Sequence, residues 1–426
     1  MARKKQDEKE SPYDVLADLS DDLGFSPMGN TSYGHVENYM PTFLPELDKI
    51  LGGGIPFKRI TEVFAPEQTG KSTFMAYLAH VANMLGINVF WIDTEATADR
   101  DHMIQLGVDV KKTRILVPKK DDMTVQLVGE VSEKLLDAYL ENDELNKNPI
   151  IIVWDSLAGT ISQGEKDVDF DQEGARGLKA KAITRLVSKL TPKIGATNVS
   201  FMAVNQVRAN QQQKSQYDSP YVRPGAAALD HGESLRLGLS KGKKITINAS
   251  DKVYRGHTVH VETDKNKQYA PHRRIDLYLL SGYDLDTGET DAAGNEIYES
   301  LQGFDYDYNI YASALEDGIV KSKGSYKDYT MDDGTEVHKY EKDFILSMKM
   351  DKEHKIRKEL FRKLMYRAFP EKIPYAENTL IDYHKWPDWD HQIDEHYAKI
   401  SSELKDTDET EETTPEPEET DKETAE

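Results

Sequence analysis

Nine consecutive residues, Ala65, Pro66, Glu67, Gln68, Thr69, Gly70, Lys71, Ser72 and Thr73, place a cation and two hydroxyls directly after a turn. They meet the phosphate-loop pattern G-x-x-x-x-G-K-[ST] at every position but the first, where Ala65 stands. Each residue type has a chemical reason. Gly70 lets backbone N–H groups approach a phosphate without a Cβ. The helix start that follows favours anionic oxygens. Lys71 supplies a point charge for β- and γ-phosphates, and Ser72 offers its hydroxyl to Mg²⁺. A positive φ would cost an alanine about 1 kcal/mol or more, so the backbone at Ala65 is expected to be right-handed or extended.

Such a loop needs acidic partners at other strand ends. Residues 149–156 read Pro-Ile-Ile-Ile-Val-Trp-Asp-Ser, an apolar run closing on Asp155, 84 positions after Lys71. That is the pattern of a second Mg²⁺ ligand, paired with Ser72. Between them, residues 91–95 (Trp-Ile-Asp-Thr-Glu) end another apolar run. A carboxylate at Glu95 can align and deprotonate an attacking water; a helix cap or surface acid is the plainer reading. Asn205 and Gln206 close a further apolar run and suit a γ-phosphate sensor, with a turn as the alternative.

The elements that must position these residues are legible as alternating apolar runs and periodic helices. Strands are expected at 60–64, 88–93, 114–117, 149–155 and 200–206, and helices over 71–85, 122–139 and 177–190. Apolar strands separated by helices imply a mostly parallel sheet covered on both faces. Strand ends converging on one edge are where such a sheet binds its ligand. Further strands are expected at 236–239, 253–263 and 275–280. Beyond Gly282 the chain is rich in Tyr, Asp and Gly, with a hairpin at Asp332, Asp333 and Gly334, a helix over 352–367, and Trp386 and Trp389 in a short aromatic patch. Tyr13, Leu16, Leu19 and Leu23 could form a short amphipathic helix near the N-terminus, either a surface helix or a docking element.

Composition bounds the possibilities. The chain has 426 residues, 76 Asp+Glu against 54 Lys+Arg, a formal charge of −22 and no cysteine. A catalytic thiol, thiolate metal sites and disulfides are excluded, and a reducing cytoplasm fits. No apolar run is long enough for a transmembrane helix, and no secretory leader is visible. The charge is uneven: residues 401–426 hold 12 acidic and 2 basic side chains, so −10 lies in a tail expected to be disordered. The chain therefore divides into an N-terminal docking element (1–39), an α/β core (40–281), a C-terminal α+β extension (282–400) and the acidic tail (401–426).

Taken together, these motifs resemble RecA-type strand-exchange recombinases, particularly the phage-encoded, UvsX-like branch. The resemblance starts with the lead-in at residues 44–64 and runs through the phosphate loop, the 91–99 segment, Asp155, the 203–208 segment and the Lys265, Asn266, Lys267 triplet. It covers roughly residues 40–280. It implies a RecA-like P-loop ATPase core and ATP with Mg²⁺ as cofactors. It also implies Glu95 as catalytic glutamate and Gln206 as the residue coupling γ-phosphate to the DNA loops. Lys265 and Lys267 resemble lysines that reach the ATP of a neighbouring subunit; spaced i and i+2 on a strand, they share a face. Asp99 and His102 fall near positions that contact adenine. The chain departs from bacterial members at Ala65, and at Asp230 and His231, where those proteins carry a basic and an aromatic residue.

By the same resemblance, two loops contact single-stranded DNA, here about 163–177 and 207–225. Arg176, Arg208, Lys214, Tyr217 and Arg223 are the candidate DNA contacts, since cations with interleaved tyrosines suit backbone tracking and base stacking. A mobile polar loop is the plainer reading. The helix after the first loop carries Lys181, Arg185 and Lys189 on one face. The expected activity is DNA-dependent ATP hydrolysis by a recombinase that forms a helical filament on single-stranded DNA and pairs it with duplex DNA. Expected partners are a single-strand-binding protein and a loading mediator, and no membrane. A hexameric helicase of the same fold and a non-catalytic DNA-binding mediator are the alternatives. A phage-encoded protein would act in the bacterial host cytoplasm.

Overall fold

A computed structural model describes residues 36–368, apart from 37, 97, 118–122, 147, 168–176, 210–220, 224, 246–255, 291–295 and 352. The expected N-terminal helix, the Trp386 and Trp389 patch and the acidic tail lie outside the described residues.

In chain order the elements begin with β1 (Tyr39–Met40), α1 (Pro45–Leu51), β2 (Ile55–Pro56), β3 (Arg59–Ala65), α2 (Lys71–Met84) and β4 (Asn88–Asp93). Then come α3 (Arg100–Gln105), β5 (Thr113–Leu116), α4 (Val125–Glu141), β6 (Ile150–Asp155), α5 (Leu178–Gly195) and β7 (Val199–Gln206). Two short strands, β8 (Arg208–Ala209) and β9 (Tyr221–Val222), precede β10 (Glu233–Ile245), β11 (Gly256–Asn266), β12 (Arg274–Thr290) and β13 (Glu296–Phe304). The last described part comprises α6 (Tyr306–Glu316), β14 (Lys321–Lys323), β15 (Tyr326–Thr330), β16 (Glu336–Tyr340), α7 (Glu341–Met350) and α8 (Lys355–Ala368).

Nine strands form the central sheet in the order β13-β12-β11-β10-β3-β7-β6-β4-β5. Strands β10, β3, β7, β6, β4 and β5 run parallel to one another, and β11, β12 and β13 continue the sheet antiparallel. This is the α/β class that the alternation of apolar strands and helices implies. Strand β6 shows why the apolar runs have no polar face. Ile151 and Val153 enter one hydrophobic cluster, while Ile150, Ile152 and Trp154 enter the other, on the opposite side of the pleat. Helix α2 seals the first face; α4 and α5 seal the second. Helix α4 starts where the Thr124 hydroxyl accepts from the Leu127 N–H at 3.2 Å.

The expected helices and strands recur with ends shifted by a few residues, and α5 runs on to Gly195. Strand β12 continues past residue 281, with a shift of register against β13 between Ser281 and Tyr283. Ile310, Phe344 and Leu360, from α6, α7 and α8, join the hydrophobic cluster that holds Leu277 and Leu279 of β12. The elements after 282 thus bury their apolar faces on the sheet itself. The hairpin at Asp332–Gly334 joins β15 to β16, with Gly334 at φ 87°.

Candidate active site

The phosphate loop leaves the carboxyl end of β3. Ala65 is the last residue of that strand, buried, and its carbonyl accepts from the Val207 N–H at 3.2 Å. It is extended, as the alanine requires. The tight curvature falls later, at Gln68 (φ 56°) and Gly70 (φ 94°). A Cβ on Gly70 would lie 2.4 Å from Leu279 Cδ2, so contact with β12 and backbone angle both demand glycine. Helix α2 then begins at Lys71 with its first N–H groups turned into the loop.

A cavity of about 580 Å³ opens here. Loop residues 66–68 and 70–73 form one wall, His102 and Gln206 its rims, and His257, Leu279 and Gly303 the far wall. Thr69 is buried, with its carbonyl 3.3 Å from His257 Nε2. Burial lowers the His257 pKa and favours the neutral ring. No motif singled out His257, Leu279 or Gly303, which come from antiparallel strands far along the chain. A larger groove of about 1040 Å³ lies between α1, β12 and α6, lined by Lys49, Tyr278 and Tyr308 among others, away from the phosphate loop.

Asp93 and Asp155 are register neighbours on β4 and β6. Asp155 is pushed up to about 6, chiefly by burial, with Glu95 and Asp93 adding to the rise and Lys71 opposing it. Burial likewise lowers the Lys71 pKa, against the pull of Asp155, Glu95 and Glu67. The Asp93 carboxylate accepts from the N–H groups of Glu95 (3.0 Å) and Ala98 (2.9 Å) and so fixes the turn that presents Glu95. Glu95 Oε1 accepts from the Ser156 hydroxyl and, at 3.2 Å, from Gln206 Nε2. A Cβ on Gly159 would lie 2.7 Å from Glu95 Cγ, so that glycine makes room for the carboxylate. Ser156 and Gly159 escaped the sequence reading, although both follow Asp155 closely. Asp99 accepts from the backbone N–H of His102 at 2.8 Å and so caps α3, the helix that carries His102; it does not line the cavity.

The loop residues are placed unevenly. Arg176, Lys214 and Tyr217 lie outside the described residues. Arg208 is exposed on β8, which pairs with β9 through Arg208–Val222 and Ala209–Tyr221. Arg223 is described, and its guanidinium pairs with carboxylates inside the chain. Nη1 donates to Glu62 and Nη2 to Asp230 at 2.9 Å, and the side chain is only 14% exposed. On α5, Lys189 pairs with Glu133 of α4 at 3.4 Å, which takes one cation from the basic face.

Lys265 lies in the last paired stretch of β11, whereas Lys267 falls in the bend just past its end at Asn266, so only the first of the two is on the strand. Lys265 is level with Arg236 of β10, donates to the Asp230 carbonyl, and lies 3.7 Å from Glu233. The Lys267 N–H bonds the Ser234 carbonyl, near the start of β3. Burial and the adjacent Lys265 charge lower the Lys267 pKa. The phosphate loop leaves the opposite end of β3, so within one chain these lysines stand away from it.

The RecA N-terminal domain family matches residues 26–286, well over half the chain. The chain belongs to the RecA family. Protein RecA of Deinococcus radiodurans is 28% identical over 284 residues, which span 66% of this chain and 68% of that protein. Protein RecA of Thermus aquaticus is 30% identical over 248 residues, 58% of this chain and 68% of that protein. Protein RecA of Streptomyces coelicolor is 25% identical over 345 residues, 81% of this chain and 82% of that protein. RecA membership assigns the chain to DNA recombination and repair. Among the described residues no helix is long and apolar enough to cross a membrane.

Proposed function

We propose that this RecA-family chain is a DNA-dependent ATPase that assembles as a filament on single-stranded DNA and catalyses homologous pairing and strand exchange, in the manner of the UvsX-like phage branch. The observation that carries the reading is the Gln206–Glu95 hydrogen bond of 3.2 Å beside the phosphate loop. It brings together the two residues that this reading takes as γ-phosphate sensor and general base. Glu95 Oε1 is held by Ser156 and Gln206. When Gln206 turns its amide to a phosphate oxygen, Oε1 keeps only its bond from Ser156, which leaves the carboxylate an acceptor site to orient and deprotonate water. Lys71 and the α2 N–H groups stabilise the phosphates. Ser72 and Asp155 would hold Mg²⁺, which needs few protein ligands when phosphates supply the rest. The Glu95 and Asp93 carboxylates that crowd Asp155 make a local excess of negative charge that a cation would relieve, which supports that fit.

His102 borders the adenine side of the cavity, with Asp99 holding it. Lys265 and Lys267 serve a neighbouring subunit's nucleotide, as their distance from this chain's own loop favours. DNA contacts come from Arg208 together with Arg176, Lys214 and Tyr217. The division into 1–39, 40–281, 282–400 and 401–426 accompanies this reading, with the first unit docking a second copy and the tail restraining DNA binding. A single-strand-binding protein and a loading mediator are its partners in the host cytoplasm. Glu95→Gln is expected to abolish ATP turnover while nucleotide binding is retained, measured by phosphate release and equilibrium binding. Unchanged turnover overturns the assignment.

A further inference from the structure

The middle of β3 holds a carboxylate that no motif explains. Glu62 is fully buried in the strand that leads to the phosphate loop. A buried carboxylate persists only with partners, and its two oxygens divide them. Oε1 accepts from Asn205 Nδ2 at 2.9 Å; Oε2 accepts from Arg223 Nη1 and lies 3.5 Å from Arg236 Nε. Asn205 precedes the loop of residues 207–222 and Arg223 follows it. The two feet of that loop are zipped together as β8 and β9. Arg223 is further fixed by the Phe64 ring, 5.4 Å from its guanidinium carbon, and by Asp230.

The same loop foot reaches the reacting end of the site. Gln206, next to Asn205, donates to Glu95. One contact series therefore runs from Glu95 through Gln206 and Asn205 to Glu62, and on to Arg223 and Asp230. We propose that Glu62 is a positioning residue that clasps Asn205 and Arg223, on either side of the paired strands β8 and β9, so that a movement of Gln206 at the nucleotide shifts both strands together. This rests on the function proposed above and deepens it. It also accounts for Asp230, whose carboxylate anchors Arg223 and Arg236 within one chain. Burial alone would raise the Asp230 pKa, but its bond to Arg223 and the charges of Arg236, Arg223 and Lys265 hold it below the usual range.

The test compares ATP turnover with and without single-stranded DNA in wild type, Glu62→Gln and Asp230→Asn. Glutamine keeps an acceptor for Asn205 but removes the charge that holds Arg223. Expected are DNA-free turnover within about twofold of wild type and DNA stimulation reduced by roughly tenfold, a loss that a merely structural residue does not select. Combining the two substitutions should add little to either alone, because both act through Arg223. Asp230 lies nearer the surface, so Asp230→Asn keeps the proposal testable should Glu62→Gln fail to fold. Normal stimulation in folded variants, or fully additive losses, overturns the clasp alone. Absence of DNA-stimulated turnover in the wild-type protein overturns both the clasp and the function beneath it.

Discussion

The carboxyl end of β3 and its middle hold ionisable groups in contrasting settings. At the end, Lys71 lines a cavity of about 580 Å³ and feels the charges of Asp155 and Glu95, and burial drives Lys71 and Asp155 toward their neutral forms. In the middle, Glu62, Glu233, Asp230 and Asp264 meet Arg223, Arg236 and Lys265 in one network. Arg236 alone contacts four carboxylates, Glu62, Asp230, Glu233 and Asp264. The difference lies in how charge is compensated. Groups at the strand end leave room for a ligand to complete their electrostatics. Groups in mid-strand complete one another, so they serve geometry rather than binding.

Substitutions that remove one member of each set separate the two settings. The largest effect is expected for Glu62→Ala, which strands half-buried Arg223 and Arg236 and buried Asn205 and should cost about 3–5 kcal/mol of stability. Chemical denaturation measures it, and a change under about 1 kcal/mol would show that the network behaves like a surface pair. Gly159→Ala pushes against Glu95 and should lower ATP turnover by roughly 100-fold with little loss of nucleotide affinity; an equal loss of both would place the clash elsewhere. Lys71→Ala should leave folding intact and weaken nucleotide binding roughly 10- to 100-fold, read by titration with a fluorescent nucleotide.

The smallest effect is a pH slope. Glu233 is raised to about 7, first by burial and then by the Glu62 charge, with Arg236 opposing. Its folded-state value exceeds its unfolded one, so the folded state binds the extra proton. That contribution is complete below about pH 4.5 and fades as pH rises through about 7. Wild type should therefore lose stability between about pH 5 and pH 8 relative to Glu233→Gln, whose amide mimics the protonated acid. Parallel pH curves for the two proteins would place the titration outside this cluster.

Much of the site was readable in the chain because its parts are contiguous. Residues 65–73, Asp93 with Glu95, Asp155, and Asn205 with Gln206 each end an apolar strand, and a parallel sheet aligns such ends without further instruction. The far wall was not readable. His257, Leu279 and Gly303 sit in strands whose own sequence carries no phosphate-binding signal, and they reach the loop because β11, β12 and β13 extend the sheet antiparallel. The intrachain partners of Arg223 were hidden for a related cause. A cation in a polar loop looks available for DNA, and nothing nearby in sequence discloses a carboxylate 161 positions away.

By itself the sequence determined the α/β class, the phosphate loop and the acids that accompany it, since local periodicity and short motifs carry that information. Only the tertiary structure decided which charges pair. Strand order sets β3 between β10 and β7, and that adjacency brings Glu62, Asn205, Arg223 and Arg236 together. Buried ions choose partners by distance and desolvation, and both are properties of the packed sheet rather than of the chain.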